Sequence, residues 1–221
     1  MDPAEKFAAL VSGPPPAFAL DRACALMAAA FTGKDHEADV IRRLDELAGQ
    51  CVDRSLNGIL AVMRSRLSGN KIDYYDPRNS FIDQVLMRGL GLPITLSVVA
   101  IEMGRRLEVP VVGIGLPSHF VVREAGRELY GDPFNDGALY DRSGLVAAWS
   151  RLAGEGQPFD ELHLVPVSER VILIRMLNNL RGLYVRNDDA RGLYALSIMR
   201  GAFAELGHEA VDHARWVRHF N

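Results

Sequence analysis

At 221 residues, with 48% hydrophobic and 24% charged residues, the chain can bury roughly 70% of its unfolded surface and needs no covalent staples. Lys and Arg number 25 against 28 Asp and Glu, and the net charge of −3 offers no basic field for nucleic acid or anionic lipid. Two cysteines, Cys24 and Cys51, make no disulfide framework, and without a Cys-x-x-Cys or Cys/His cluster neither a metal nor a cofactor is expected.

The chain is expected to divide into an N-terminal helical segment (1–34), a core (35–165) and C-terminal helices (166–221). Residues 3–11 carry a short helical pattern, stopped by Ser12-Gly13 and the extended run Pro14-Pro15-Pro16. A helix over 21–30 has Asp21 as its N-cap. The acidic start Met1-Asp2-Pro3 is unlike a signal peptide, and the apolar run 23–31 is too short to span a bilayer, so a cytoplasmic location is expected. From 37 to 67, apolar residues recur every three or four positions, as on an amphipathic helix broken near Gly49 or Gly58. Ser68-Gly69-Asn70 stops it. A polar, aromatic loop follows over 73–79, and Ser80 is expected to cap a helix running through Met87. Gly89-Leu-Gly-Leu-Pro93 opens another helix, with Pro93 suited to its first position and apolar residues around most of its circumference.

The period then changes from 3.6 to 2: a strand over 109–116, and a hairpin over 119–132 folded about Ala125-Gly126. A two-residue loop there pairs Glu124 with Arg127. The same register sets His119 opposite Asp132, Val121 opposite Tyr130 and Arg123 opposite Glu128. A four-residue loop keeps that register, whereas an odd-length loop or a bulge breaks it. Opposed side chains have Cβ atoms about 5 Å apart, close enough for the Asp132 carboxylate to hold the His119 imidazole. Such a pair is either a general base with its orienting carboxylate or a structural hydrogen bond that stiffens a sheet edge. Helical patterns return at 141–152, 168–186, 189–206 and 208–219. Helices, then a small antiparallel sheet, then helices indicate α+β architecture.

A nucleophile for His119 belongs at the N-terminus of a packed helix, where free N–H groups and the helix dipole stabilise an anion. The helix opening at Pro93 offers Thr95 and Ser97 but no cysteine, and first-turn hydroxyls more commonly cap or bond back to the backbone. Cys24 and Cys51 sit on apolar helical faces and read as small buried hydrophobes. Gly113-Ile-Gly115 and Gly89-Leu-Gly91 lack the rest of any phosphate-loop signature. The run Leu177-Asn-Asn-Leu180-Arg-Gly-Leu-Tyr184 is similar to the first helix of a tetratricopeptide repeat. One unit without a 34-residue period excludes an array, leaving a helical buttress or a protein-binding groove.

Four motifs in order, Asn79-Ser-Phe-Ile-Asp-Gln-Val-Leu, Gly91-Leu-Pro93-Ile-Thr-Leu-Ser97-Val, Gly115-Leu-Pro117-Ser-His119-Phe-Val-Val-Arg123 and Asp132-Pro-Phe-Asn-Asp-Gly137, resemble the transglutaminase-like superfamily. The resemblance covers roughly 35–205 and is to the bacterial invasion-regulator-like branch, whose core precedes tetratricopeptide-like helices. It implies a papain-like α+β core with a small antiparallel sheet on a central helix, and a Cys-His-Asp triad. His119 matches the triad histidine, Asp132 the aspartate, and the cysteine position falls at or beside Pro93. Members of the branch commonly share that substitution. Asn79, Pro93, Thr95, Ser97 and Arg123 are then expected to line the cleft. Two functions follow: a non-catalytic factor binding a protein or peptide, or an amide-processing enzyme using His119-Asp132 with a substitute nucleophile or water.

Overall fold

The computed structural model describes residues 1–13 and 19–209. Helices α1 (Pro3–Val11), α2 (Leu20–Thr32), α3 (Glu37–Gly49) and α4 (Leu56–Arg66) come first. They are followed by β1 (Ser68–Gly69), α5 (Ile82–Arg88), β2 (Leu90–Gly91) and the central helix α6 (Pro93–Leu107). Strands β3 (Val111–Gly115), β4 (Phe120–Glu124), β5 (Leu129–Asp132) and β6 (Ala138–Asp141) lead to the short helices α7 (Arg142–Ala147) and α8 (Trp149–Ala153). Strand β7 (Pro166–Val167) and helices α9 (Glu169–Arg186) and α10 (Ala190–Gly201) complete the order. The expected helix over 208–219 falls almost wholly outside the described residues.

The amphipathic run 37–67 breaks after Gly49 and resumes at Leu56, where the Ser55 side chain accepts from the Gly58 N–H. Gly58 lies within α4, and its lack of a side chain lets the 51–55 loop fold back on it: a Cβ there would stand 2.0 Å from the Asp53 carbonyl oxygen. Cys51 therefore lies in that loop and not on a helical face. Two expected caps are displaced. Ala19 is the N-cap of α2, and the Asp21 carboxylate is drawn instead to Arg105 and Arg106 at 3.0 and 2.8 Å. Residues 77–80 take a 3-10 turn, so α5 begins later, with Phe81 as its N-cap and the Ser80 hydroxyl buried without a partner.

The main sheet is antiparallel throughout, in the order β6-β5-β4-β3-β7. Its period-2 alternation buries both faces. Phe120 and Val122 turn toward α6 and the principal core, while Ile114, Val121 and Tyr130 meet Leu145, Trp149 and Leu152 beneath α7 and α8. The edge strands β6 and β7 carry too little periodicity to be read in advance, and β7 contains a proline, which an edge tolerates. Ile172, Met176, Leu177 and Leu180 of α9, with Leu193 and Leu196 of α10, extend the principal core, so the C-terminal helices pack against the α6 side.

Arg106 joins three helices. Its guanidinium meets Asp21 of α2 at 2.8 Å, Glu102 of α6 at 2.8 Å and Asp45 of α3 at 2.6 Å. Burial pushes the Glu102 carboxyl up despite the opposing arginines. Removing one partner of a buried pair strands the other charge, so Arg106→Ala is expected to lower unfolding stability by about 3 kcal/mol in urea titrations. Arg105→Ala, at a half-exposed guanidinium, is expected to cost less than about 1 kcal/mol.

Candidate functional site

The hairpin carrying His119 and Asp132 departs from the expected register. Its loop holds residues 125–128, closed at the start by the Arg127 N–H donating to the Glu124 carbonyl at 3.1 Å, and Arg123 opposes Tyr130 rather than Glu128. The pairing is offset by two positions from the expected one. Packing accounts for it: Tyr130 is buried in the second core with the Arg123 guanidinium over its ring at 5.8 Å, and Arg127 is drawn to Glu124. An offset of two keeps every residue on its face. His119 and Asp132 are consequently diagonal neighbours, not opposed ones, and a long side chain spans that gap. His119 Nε2 lies 2.8 Å from Asp132 Oδ2, and the expected Arg123–Glu128 pair persists at 3.6 Å.

Asp132 is completely buried and accepts from four donors. Oδ1 takes the backbone N–H groups of Phe134 and Asn135 at 3.1 and 3.2 Å, and Oδ2 takes His119 and the Asn135 carboxamide, each at 2.8 Å. Burial alone would raise this carboxyl, but the hydrogen bond and charge of His119 together with Asn135 bring it below its ordinary value. With Nε2 held, Nδ1 is the nitrogen left for proton transfer or for a ligand. His119 is 7% exposed, and its ring meets Phe134 edge-on at 5.8 Å.

Arg175 of α9 donates to the carbonyls of Leu116 and His119 at 2.7 and 2.8 Å, fixing the turn that presents the imidazole. Arg175, Phe134 and Asn135 are the neighbours that sequence reasoning missed. Phe134 and Asn135 lay in a quoted motif without an assigned role, and Arg175, bonded only to carbonyls far away in sequence, leaves no signal.

Pro93 occupies the first position of α6 and is buried. Thr95 neither caps nor bonds back: its hydroxyl is buried with no partner. Ser97 is buried with Oγ 3.5 Å from the Phe120 carbonyl, a long and weak contact. Cys24 faces Met176, sulfur to sulfur at 3.9 Å, and Cys51 donates to the Asp53 carbonyl; burial raises both thiols, so neither is a ready thiolate. Asn79 is fully buried and grips its own loop, donating to the carbonyls of Asp73 and Tyr74 at 2.7 and 3.3 Å. Its carbonyl accepts from Leu92 N–H at 3.2 Å, which ties the loop to the start of α6. Arg123 lies four residues along the strand from His119, about 13 Å, and so stands apart from the pair. Outside the first turn of α6, a groove of about 260 Å³ is lined by Tyr74, Tyr75, Leu92, Asn178, Leu183 and Arg186, among others. Among the described residues no group of three or more His, Cys, Asp or Glu is placed to hold a metal ion, and no helix is long and apolar enough to cross a membrane.

Residues 20–178, which include α6, the sheet and the His119–Asp132 pair, match the family model described as the transglutaminase-like superfamily. The chain belongs to that superfamily. A UPF0162 protein of Xylella fastidiosa is 43% identical over 126 residues, covering 55% of this chain and 45% of that protein, so the chain spans less than half of that relative's length. A UPF0162 protein of Pseudomonas aeruginosa is 31% identical over 197 residues, 83% of this chain and 71% of the relative. Human F-box only protein 21 is 36% identical over 90 residues, 41% of this chain but 14% of its own. No solved structure matches. The superfamily match ends within α9, so Leu183 and Arg186 of the groove lie beyond it.

A lowered carboxyl stabilises the fold above its unfolded value of about 4 and loses that contribution as pH falls through the folded value. Asp132→Asn is expected to flatten this acid limb when unfolding free energy is followed from pH 6 downward in urea. Asp132→Ala, which leaves the buried donors without an acceptor, is expected to cost about 3 kcal/mol at neutral pH.

Proposed function

We propose that this superfamily member belongs to the invasion-regulator-like branch and binds a protein or peptide at the former active-site cleft without catalysing its conversion. The observation that carries this reading is the start of α6. A buried proline stands at the position implied for the thiol, and the next two hydroxyls, Thr95 and Ser97, are fully buried. Where a triad acts as a unit, loss of the nucleophile alone costs about 10⁶ in turnover. In this reading α9 and α10 are a tetratricopeptide-like hairpin that buttresses the core and walls one side of the cleft. The protein works in the cytoplasm on a polypeptide partner, without nucleic acid or membrane.

One observation favours a second reading. His119 and Asp132 keep a 2.8 Å hydrogen bond that leaves Nδ1 available, an arrangement that can activate water for amide hydrolysis or deamidation. The two readings separate when immobilised wild-type protein and His119→Ala are each incubated with clarified lysate. Mass spectrometry is expected to find retained polypeptides and no covalent change specific to the wild type. Deamidation, cleavage or isopeptide bonds that vanish with His119→Ala would establish the enzyme instead.

A further inference from the structure

Three aromatic rings continue outward from the His119 imidazole in an unbroken row. Phe134 meets the imidazole, Tyr74 meets Phe134 with centroids 6.1 Å apart, and Tyr75 meets Tyr74 at 5.5 Å. A cation sits over each end: Lys71 Nζ is 5.8 Å from the Phe134 centroid, and the Arg186 guanidinium carbon is 4.7 Å from that of Tyr75. Among the described residues neither cation has a carboxylate within 4.0 Å. The surface is also apolar where it meets water. Ile72 is 101% exposed, Tyr75 is 61% exposed, and both lie on the same loop as Lys71. Asp73 is the one carboxylate between Lys71 and Tyr75 in the sequence.

The facing wall is α9. Asn178, Gly182 and Arg186 recur every fourth residue and so share one side of that helix, with exposed Asn179 beside them. Glycine weakens a helix interior relative to alanine, and among the described residues nothing requires it at 182: a Cβ there would have no described heavy atom within 4 Å. What glycine does at that point is leave the groove open to close approach by another main chain. Carboxamides such as Asn179 can both donate to and accept from a peptide backbone. Arg and Tyr are among the residue types enriched at the energetic hot spots of protein interfaces.

We infer that this groove binds an extended acidic peptide segment of a partner protein. Its backbone passes over Gly182, its apolar side chains rest on Tyr74, Tyr75 and Leu183, and its carboxylates pair with Lys71 and Arg186. The inference rests on the binding reading above and adds the chemistry of the ligand.

The test is fluorescence anisotropy with two fluorescein-labelled decapeptides that alternate charged residues with Leu and Phe, one carrying Glu and the other Lys at every charged position. The Glu peptide is expected to bind, to weaken as NaCl rises, and to weaken about tenfold or more in Arg186→Glu. Gly182→Leu is expected to abolish binding while leaving the melting temperature unchanged or raised, since the substitution favours the helix; a merely structural role would not produce that pair of results. Equal binding of both peptides, lost in Gly182→Leu, would overturn the acidic ligand but leave a peptide groove standing. Binding indifferent to both substitutions, or no binding by either peptide, would overturn the groove itself, and the lysate comparison with His119→Ala would then decide the broader reading separately.

Discussion

A carboxylate without access to water has to be surrounded by donors, and meeting that demand at Asp132 organises one end of the molecule. Its two backbone donors close the 3-10 turn Pro133–Asn135, which terminates β5 and turns Phe134 back beneath β1. Its third donor, the Asn135 carboxamide, holds the same turn from the side. Its fourth is His119, which brings in the start of β4. The imidazole is therefore fixed by a structural requirement whether or not it ever moves a proton. Deleting the carboxylate would leave those buried donors unpaired.

The second organising contact comes from the C-terminal helices. Arg175 is half-buried, and desolvation lowers its pKa against the opposing influence of Tyr74, yet its guanidinium caps two carbonyls of the turn before β4. Loop 70–79 is held by Asn79 on its inner side and presents Tyr74 and Tyr75 outward. The groove thus has one wall from the core, which carries the rings of Tyr74 and Tyr75, and one from α9, which carries Asn178, Asn179 and Arg186.

Much of this was legible in the chain, for identifiable reasons. The central helix could be read because Pro93 and an apolar circumference mark it independently of its partners, and the strands because their period changes to 2. His119 and Asp132 could be placed on a common face because face depends only on parity. Register could not be read, since it depends on Tyr130 packing with Leu145 and Trp149 of α7 and α8, contacts that lie outside the hairpin, as well as on Arg123 lying over its ring. Asp21 and Ser80 carry the chemistry of caps, but local preference yielded to two arginines from α6 in one case and to a 3-10 turn in the other. Asn79 and Arg123 belong to the motifs of the resemblance, yet one is spent inside its own loop and the other stands at the far end of the hairpin.

Arg175 and Arg186 sit on the same helix, one bonded to the carbonyl of His119 and the other stacked on Tyr75 at the groove. The helical stretch between them is roughly 16 Å long and has no proline to bend it. Such a rod behaves as a lever. A tilt imposed on α9 from the groove end would reach the backbone beneath the imidazole at the other end, alongside the row of rings Phe134, Tyr74 and Tyr75 that joins the same two places.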